Sequence, residues 1–102
     1  MYICNEDYMP LDIKEVVYKF LNKRNVPKPV EVFWGRGIDE AVFLYSKDKT
    51  KTTLAFIDDP VMTEFALQNL AEVESRFDYI LTNSQELLEY SNKFINYEHR
   101  SS

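Results

Sequence analysis

Two adjacent carboxylates, Asp58 and Asp59, follow the apolar run LAFI and precede Pro60. A carboxylate at the end of a buried strand can take a proton from a hydroxyl or hold a hydrated magnesium ion, which makes this pair the candidate catalytic residues. The same acids also suit the start of a helix, where proline loses nothing by lacking an N–H and a negative charge complements the helix dipole. Thr82, Asn83 and Ser84 form a second group, lodged between the apolar run YIL and a helical pattern. A ligand could meet small polar side chains and unpaired N–H groups there, whereas Asn83 with Glu86 three residues on spells a capping box that needs no ligand. The third group is Trp34, Gly35, Arg36 and Gly37, which contains the only two glycines of the chain. They would let backbone N–H groups and a guanidinium approach an anion; turn geometry alone also accounts for them. A third glycine and a phosphate-binding lysine, which the common nucleotide loops require, are missing. Cys4 is the single cysteine and His99 the single histidine, so no zinc cluster can be built and no metal or other cofactor is expected.

These groups need elements to hold them. Ile13, Val16, Val17, Phe20 and Leu21 recur at spacings of three and four and predict a helix over 12–24, with Asp12 and Glu15 as a capping box. Asn25, Pro27 and Pro29 end it, and VEVFW at 30–34 is rich in strand formers. VFLY at 42–45 and LAFI at 54–57 read as strands covered on both faces. The polar linker between them is short for a parallel crossover, so an antiparallel hairpin is expected, with a compact crossover as the alternative. Met62, Phe65, Ala66, Leu70, Val73 and Phe77 predict a helix reaching about Arg76. YILT at 79–82 predicts a buried strand, 84–92 a helix, and FINY at 94–97 an edge strand. Together they predict one α/β domain over 1–102, a small three-layer Rossmann-like sandwich with about four to six strands and three main helices. Ligands collect outside the carboxyl ends of parallel strands in such sheets, where all three polar groups are expected to lie.

Composition narrows the function. The 102 residues are 45% hydrophobic and 15% aromatic, enough for an ordinary core. The net charge of −5 works against phosphate-neutralising contacts, so no nucleic-acid partner is expected. Apolar runs fall far short of the roughly 20 residues that cross a bilayer, and with a lone cysteine the chain is expected to be cytoplasmic, with no membrane span. The charge is uneven: residues 58–98 hold nine acids against Arg76 and Lys93. An acidic face there, with Tyr90, Phe94 and Tyr97 beside Glu86 and Glu89, would suit a protein-binding or inhibitory module docking on a basic partner surface.

One longer stretch carries a resemblance. LAFIDDP, a helix of about sixteen residues and then FDYILTNSQELLE resembles the N-terminal α/β half of certain bacterial and phage glycosyltransferases, over residues 38–97. The resemblance implies a sheet that is mainly parallel, Asp59 and Pro60 on the rim of a cleft, and Thr82 and Asn83 beside it. It implies a sugar acceptor or nucleotide sugar as ligand, and a second α/β domain making most contacts to the nucleotide sugar. After FINY this sequence runs into EHRSS, so the chain by itself is expected not to complete transfer.

Overall fold

The computed structural model describes residues 9–26, 29–34 and 51–97. The first helix, α1 (Leu11–Arg24), buries Val16, Val17 and Leu21 from the expected stripe, with Ile13 and Phe20 packed beside them. It begins one residue before Asp12, with Pro10 as its cap, so the expected Asp12–Glu15 capping box does not form. Asp12 instead lies inside the first turn and accepts from the Ile13 N–H at 2.9 Å, where its charge still complements the helix dipole. Asn25 ends the helix in the left-handed conformation, φ 56° and ψ 47°, and donates its N–H to the Leu21 carbonyl. Asparagine is one of the few residues other than glycine that enters this region routinely.

Four strands follow, β1 (Val30–Trp34), β2 (Thr52–Ile57), β3 (Tyr79–Thr82) and β4 (Phe94–Asn96), arranged in the order β1-β2-β3-β4. All three pairings are parallel, with Val30 opposite Thr52, Leu54 opposite Tyr79 and Ile80 opposite Phe94. The expected strand 42–45 lies outside the described residues. Its expected antiparallel pairing with 54–57 is nonetheless overturned, because β2 hydrogen-bonds β1 on one side and β3 on the other and has no edge left to offer. Linker length was a poor guide because the partners of β2 are β1, earlier in the chain, and β3, beyond the helices that follow β2.

Alternation along the strands divides the core into two layers. Val30, Val32, Leu54, Phe56 and Leu81 face α1, while Ala55, Ile57, Ile80 and Phe94 face the helices on the other side. The result is the three-layer α/β sandwich, Rossmann-like, with four strands among the described residues. Leu54, Ala55, Phe56 and Ile57 are almost fully buried, as a strand flanked on both edges and covered on both faces must be.

The helix expected from Pro60 to about Arg76 is divided into α2 (Pro60–Gln68) and α3 (Leu70–Arg76). Asn69 causes the break: its side-chain amide donates to the Phe65 carbonyl at 2.9 Å, and its own N–H turns to Ala66. A side chain that competes for backbone partners in this way interrupts the regular ladder. The last helix, α4 (Gln85–Leu88), is a single turn.

The amino edge of the sheet is locked by side chains. Asp78 Oδ2 accepts from the Thr53 N–H at 2.9 Å and from the Thr53 hydroxyl at 3.2 Å, while the Asp78 N–H donates to the Thr53 carbonyl at 3.0 Å. These bonds pin the β2–β3 register one position before its first pair, Leu54 and Tyr79. Lys93 Nζ donates to the Glu74 carbonyl at 2.7 Å, tying the end of α3 to the start of β4.

Candidate functional site

Parallel pairing puts the carboxyl ends of all four strands on one edge. Ile57, Thr82 and Asn96 stand abreast there in β2, β3 and β4, so the edge from β2 to β4 is about 10 Å wide, two inter-strand spacings. Asp58 and Asp59 leave β2 at this edge, Asn83 and Ser84 leave β3, and Tyr97 follows β4.

The two acids divide their work. Asp59 caps α2: its Oδ1 accepts from the Val61 N–H at 2.6 Å, with Pro60 in the first turn as expected. Asp58, also exposed, lies close enough to Tyr97 for its charge to be felt by the phenol. Burial first, and the negative charge of Asp58 second, raise the Tyr97 phenol above its ordinary value. Tyr97 is 7% exposed, and its ring packs on Phe56 with centroids 4.7 Å apart.

Thr82, Asn83 and Ser84 also have separate tasks. Thr82 is fully buried, and its hydroxyl accepts from the Ser84 N–H at 3.1 Å, shaping the turn. Ser84 caps α4, accepting from the Leu87 N–H at 3.4 Å. The expected cap at Asn83 is therefore displaced by one residue, because α4 begins at Gln85 and places Asn83 before the cap. Asn83 is left exposed and makes no side-chain hydrogen bond to a described residue. Trp34 ends β1 half-buried against the α1 layer, so packing accounts for part of its surface. Gly35, Arg36 and Gly37 lie outside the described residues, as does His99.

Of the three aromatics expected as exposed anchors, only Tyr90 is one, at 43% exposure. Phe94 points into the core beneath α2–α4 and Tyr97 into the core beneath α1, since both occupy inward positions of the strand and its continuation. Tyr90 meets Phe94 edge to face at 5.8 Å.

Sequence reasoning missed a groove between α1 and β4. It has a volume of about 260 Å³, with Lys19, Phe20, Lys23 and Arg24 on the helix side and Ile95, Asn96 and Tyr97 on the strand side. Arg24 Cζ lies 5.5 Å from the centroid of the Phe20 ring, a cation–π arrangement. The signal was present as cations at 19, 23 and 24 around an aromatic at 20, but on a helix read alone this is an ordinary solvated face. The strand that closes the groove lies some seventy residues later, so only the topology reveals it.

Among the described residues no three His, Cys, Asp or Glu side chains come together as a metal set, and no helix is long and apolar enough to cross a membrane. In comparisons with protein-family models, with curated proteins and with solved structures, nothing matches this chain.

Proposed function

We propose that this chain is a glycosyltransferase-like α/β domain that holds a hydroxyl-rich acceptor at the carboxyl edge of its sheet and does not complete sugar transfer alone. The observation that carries this reading is the all-parallel register, which brings Asp58, Asn83, Asn96 and Tyr97 to one edge. A carboxylate and two amides are groups that pair with neighbouring sugar hydroxyls, each amide offering both donors and an acceptor, while the buried Tyr97 ring backs the edge from the core. Asp58 and Asp59 are the acids at this edge that could take a hydroxyl proton, and Asp59 also caps α2 through the Val61 N–H. Neutralising a nucleotide diphosphate needs further donors or cations. The segment expected to provide them, Gly35 to Gly37, lies outside the described residues. Calorimetric titration with free sugars and nucleotide sugars tests the reading. Saturable sugar binding that weakens in Asp58→Asn, with no sugar transferred, supports it; turnover by this chain, or no binding to any sugar, defeats it.

A second reading, a module that docks on a basic partner, is favoured by one feature. Helices α2 to α4 carry Glu64, Glu72, Glu74 and Glu86 against Arg76 alone, with Tyr90 exposed just beyond α4. A partner that meets this layer would lose affinity with added salt and on Tyr90→Ala.

A further inference from the structure

We infer that the groove between α1 and β4 binds a phosphate monoester that carries a flat ring, of the size of a nucleoside monophosphate. This site adjoins the acceptor edge and shares Asn96 and Tyr97 with it, but Lys19, Phe20, Lys23, Arg24 and Ile95 belong to the groove alone, and it stands whether or not the chain handles sugars.

Charge argues for an anion. The protein is acidic overall, with a net charge of −5, yet α1 carries Lys14, Lys19, Lys23 and Arg24 against Asp12 and Glu15. Three of those four cations line one groove. Lys19 and Lys23 are four residues apart on the same helix face, a like-charge spacing that a bound anion would favour. Lys19 already engages another group, so Lys23 and Arg24 supply most of the charge a ligand would meet. The bland account is that cations in a last turn complement the helix dipole. It covers Lys23 and Arg24, but it gives no reason for a cavity beneath them.

Shape and chemistry argue for a flat ring. Phe20 holds the Arg24 guanidinium, and a guanidinium kept in place by one ring can stack a second flat group. Phe20 is itself braced edge to face by Tyr79 at 5.5 Å, so the platform is fixed from below. Val16 and Ile95 supply apolar lining. At about 260 Å³ the groove is slightly smaller than the roughly 300–1,000 Å³ of sites for drug-sized ligands, which favours a mononucleotide over a dinucleotide or a polymer.

Titration of the full chain with adenosine and uridine monophosphates, ribose 5-phosphate, adenosine and inorganic phosphate, followed by backbone NMR at low and physiological salt, tests the inference. The expected result is saturable binding of the nucleoside monophosphates, at least tenfold tighter than inorganic phosphate or adenosine, with shifts at Phe20, Ile95, Asn96 and Tyr97. Lys23→Gln and Arg24→Gln should each weaken it severalfold while circular dichroism stays unchanged, and Lys14→Gln, on the same helix outside the groove, should leave it intact. Ribose 5-phosphate binding as tightly as a nucleoside monophosphate would overturn the flat-ring assignment. Absence of saturable binding, or equal weakening by Lys14→Gln, would overturn the site. If Lys23→Gln and Arg24→Gln lower thermal stability without touching ligand affinity, the two cations serve only the helix dipole and the inference fails.

Discussion

Removing the Asp78 carboxylate should unlatch the amino edge of the sheet without touching any candidate ligand group. In Asp78→Ala the Thr53 N–H loses the acceptor it meets at 2.9 Å and the Thr53 hydroxyl loses one at 3.2 Å. The hydroxyl keeps the Arg76 carbonyl at 3.3 Å, so its loss is small. The N–H belongs to a residue only 9% exposed and is left without its partner. A hydrogen bond to a charged group contributes about 1.5–3 kcal/mol. Asp78 lies at the surface, where water can partly replace it, so the expected cost is about 2 kcal/mol, toward the lower part of that range. For a domain of this size that lowers the melting temperature by about 8–16 °C. Asp78→Asn keeps an oxygen that can accept from the same N–H and should cost about half as much, since neutral bonds are roughly half as strong. Urea unfolding followed by tryptophan fluorescence and circular dichroism measures both. A loss below about 0.5 kcal/mol in Asp78→Ala, the range of an ordinary surface substitution, would refute the latch, as would an Asp78→Asn variant no better than Asp78→Ala.

At the other edge, Ser84→Ala should lower stability by about 1 kcal/mol, the usual cost of a lost helix cap, while Asn83→Ala stays within about 0.5 kcal/mol; denaturant midpoints for the two variants decide which residue caps α4. Because the Tyr97 phenol is raised in the folded state, the stability it confers is fully present below the ordinary phenol value of about 10 and is lost as pH rises through the folded value. Asp58→Asn should bring that folded value down, so an ultraviolet titration of tyrosinate absorbance should show one tyrosine ionising at lower pH than in the parent protein, and no change would remove Asp58 from the neighbourhood of Tyr97.

Much of the fold was legible because its determinants are local. The apolar stripe of α1, the strand-forming runs at 30–34, 54–57 and 79–82, and the Asp59–Pro60 helix start depend on neighbours a few residues apart, and the structure has each of them. Strand pairing depends on which distant segment fills each edge, and so the hairpin expected from a short linker gave way to parallel neighbours on both sides of β2. The two capping errors have a smaller cause. Asp12 and Asn83 each have a well-placed glutamate three residues on, but the helices choose Pro10 and Ser84, because the chain entering each helix sets the first turn. At the carboxyl edge the polar residues were readable, whereas their division of labour was not. Thr82 and Ser84 shape the turn, Asp59 caps, and Asp58 and Asn83 face outward. Asn96 and Tyr97 joined them only once β4 took its place beside β3.

Backbone NMR of the labelled chain, titrated with a panel of methyl glycosides and nucleotide sugars, tests the acceptor-edge reading most directly, because it reports where a ligand sits as well as whether it binds. The account predicts that at least one sugar shifts the amides of Asp58, Asn83, Asn96 and Tyr97 together, saturably, and that Asp58→Asn weakens the response. Silence at those four positions across the panel, or shifts confined to the acidic helices around Tyr90, would contradict it.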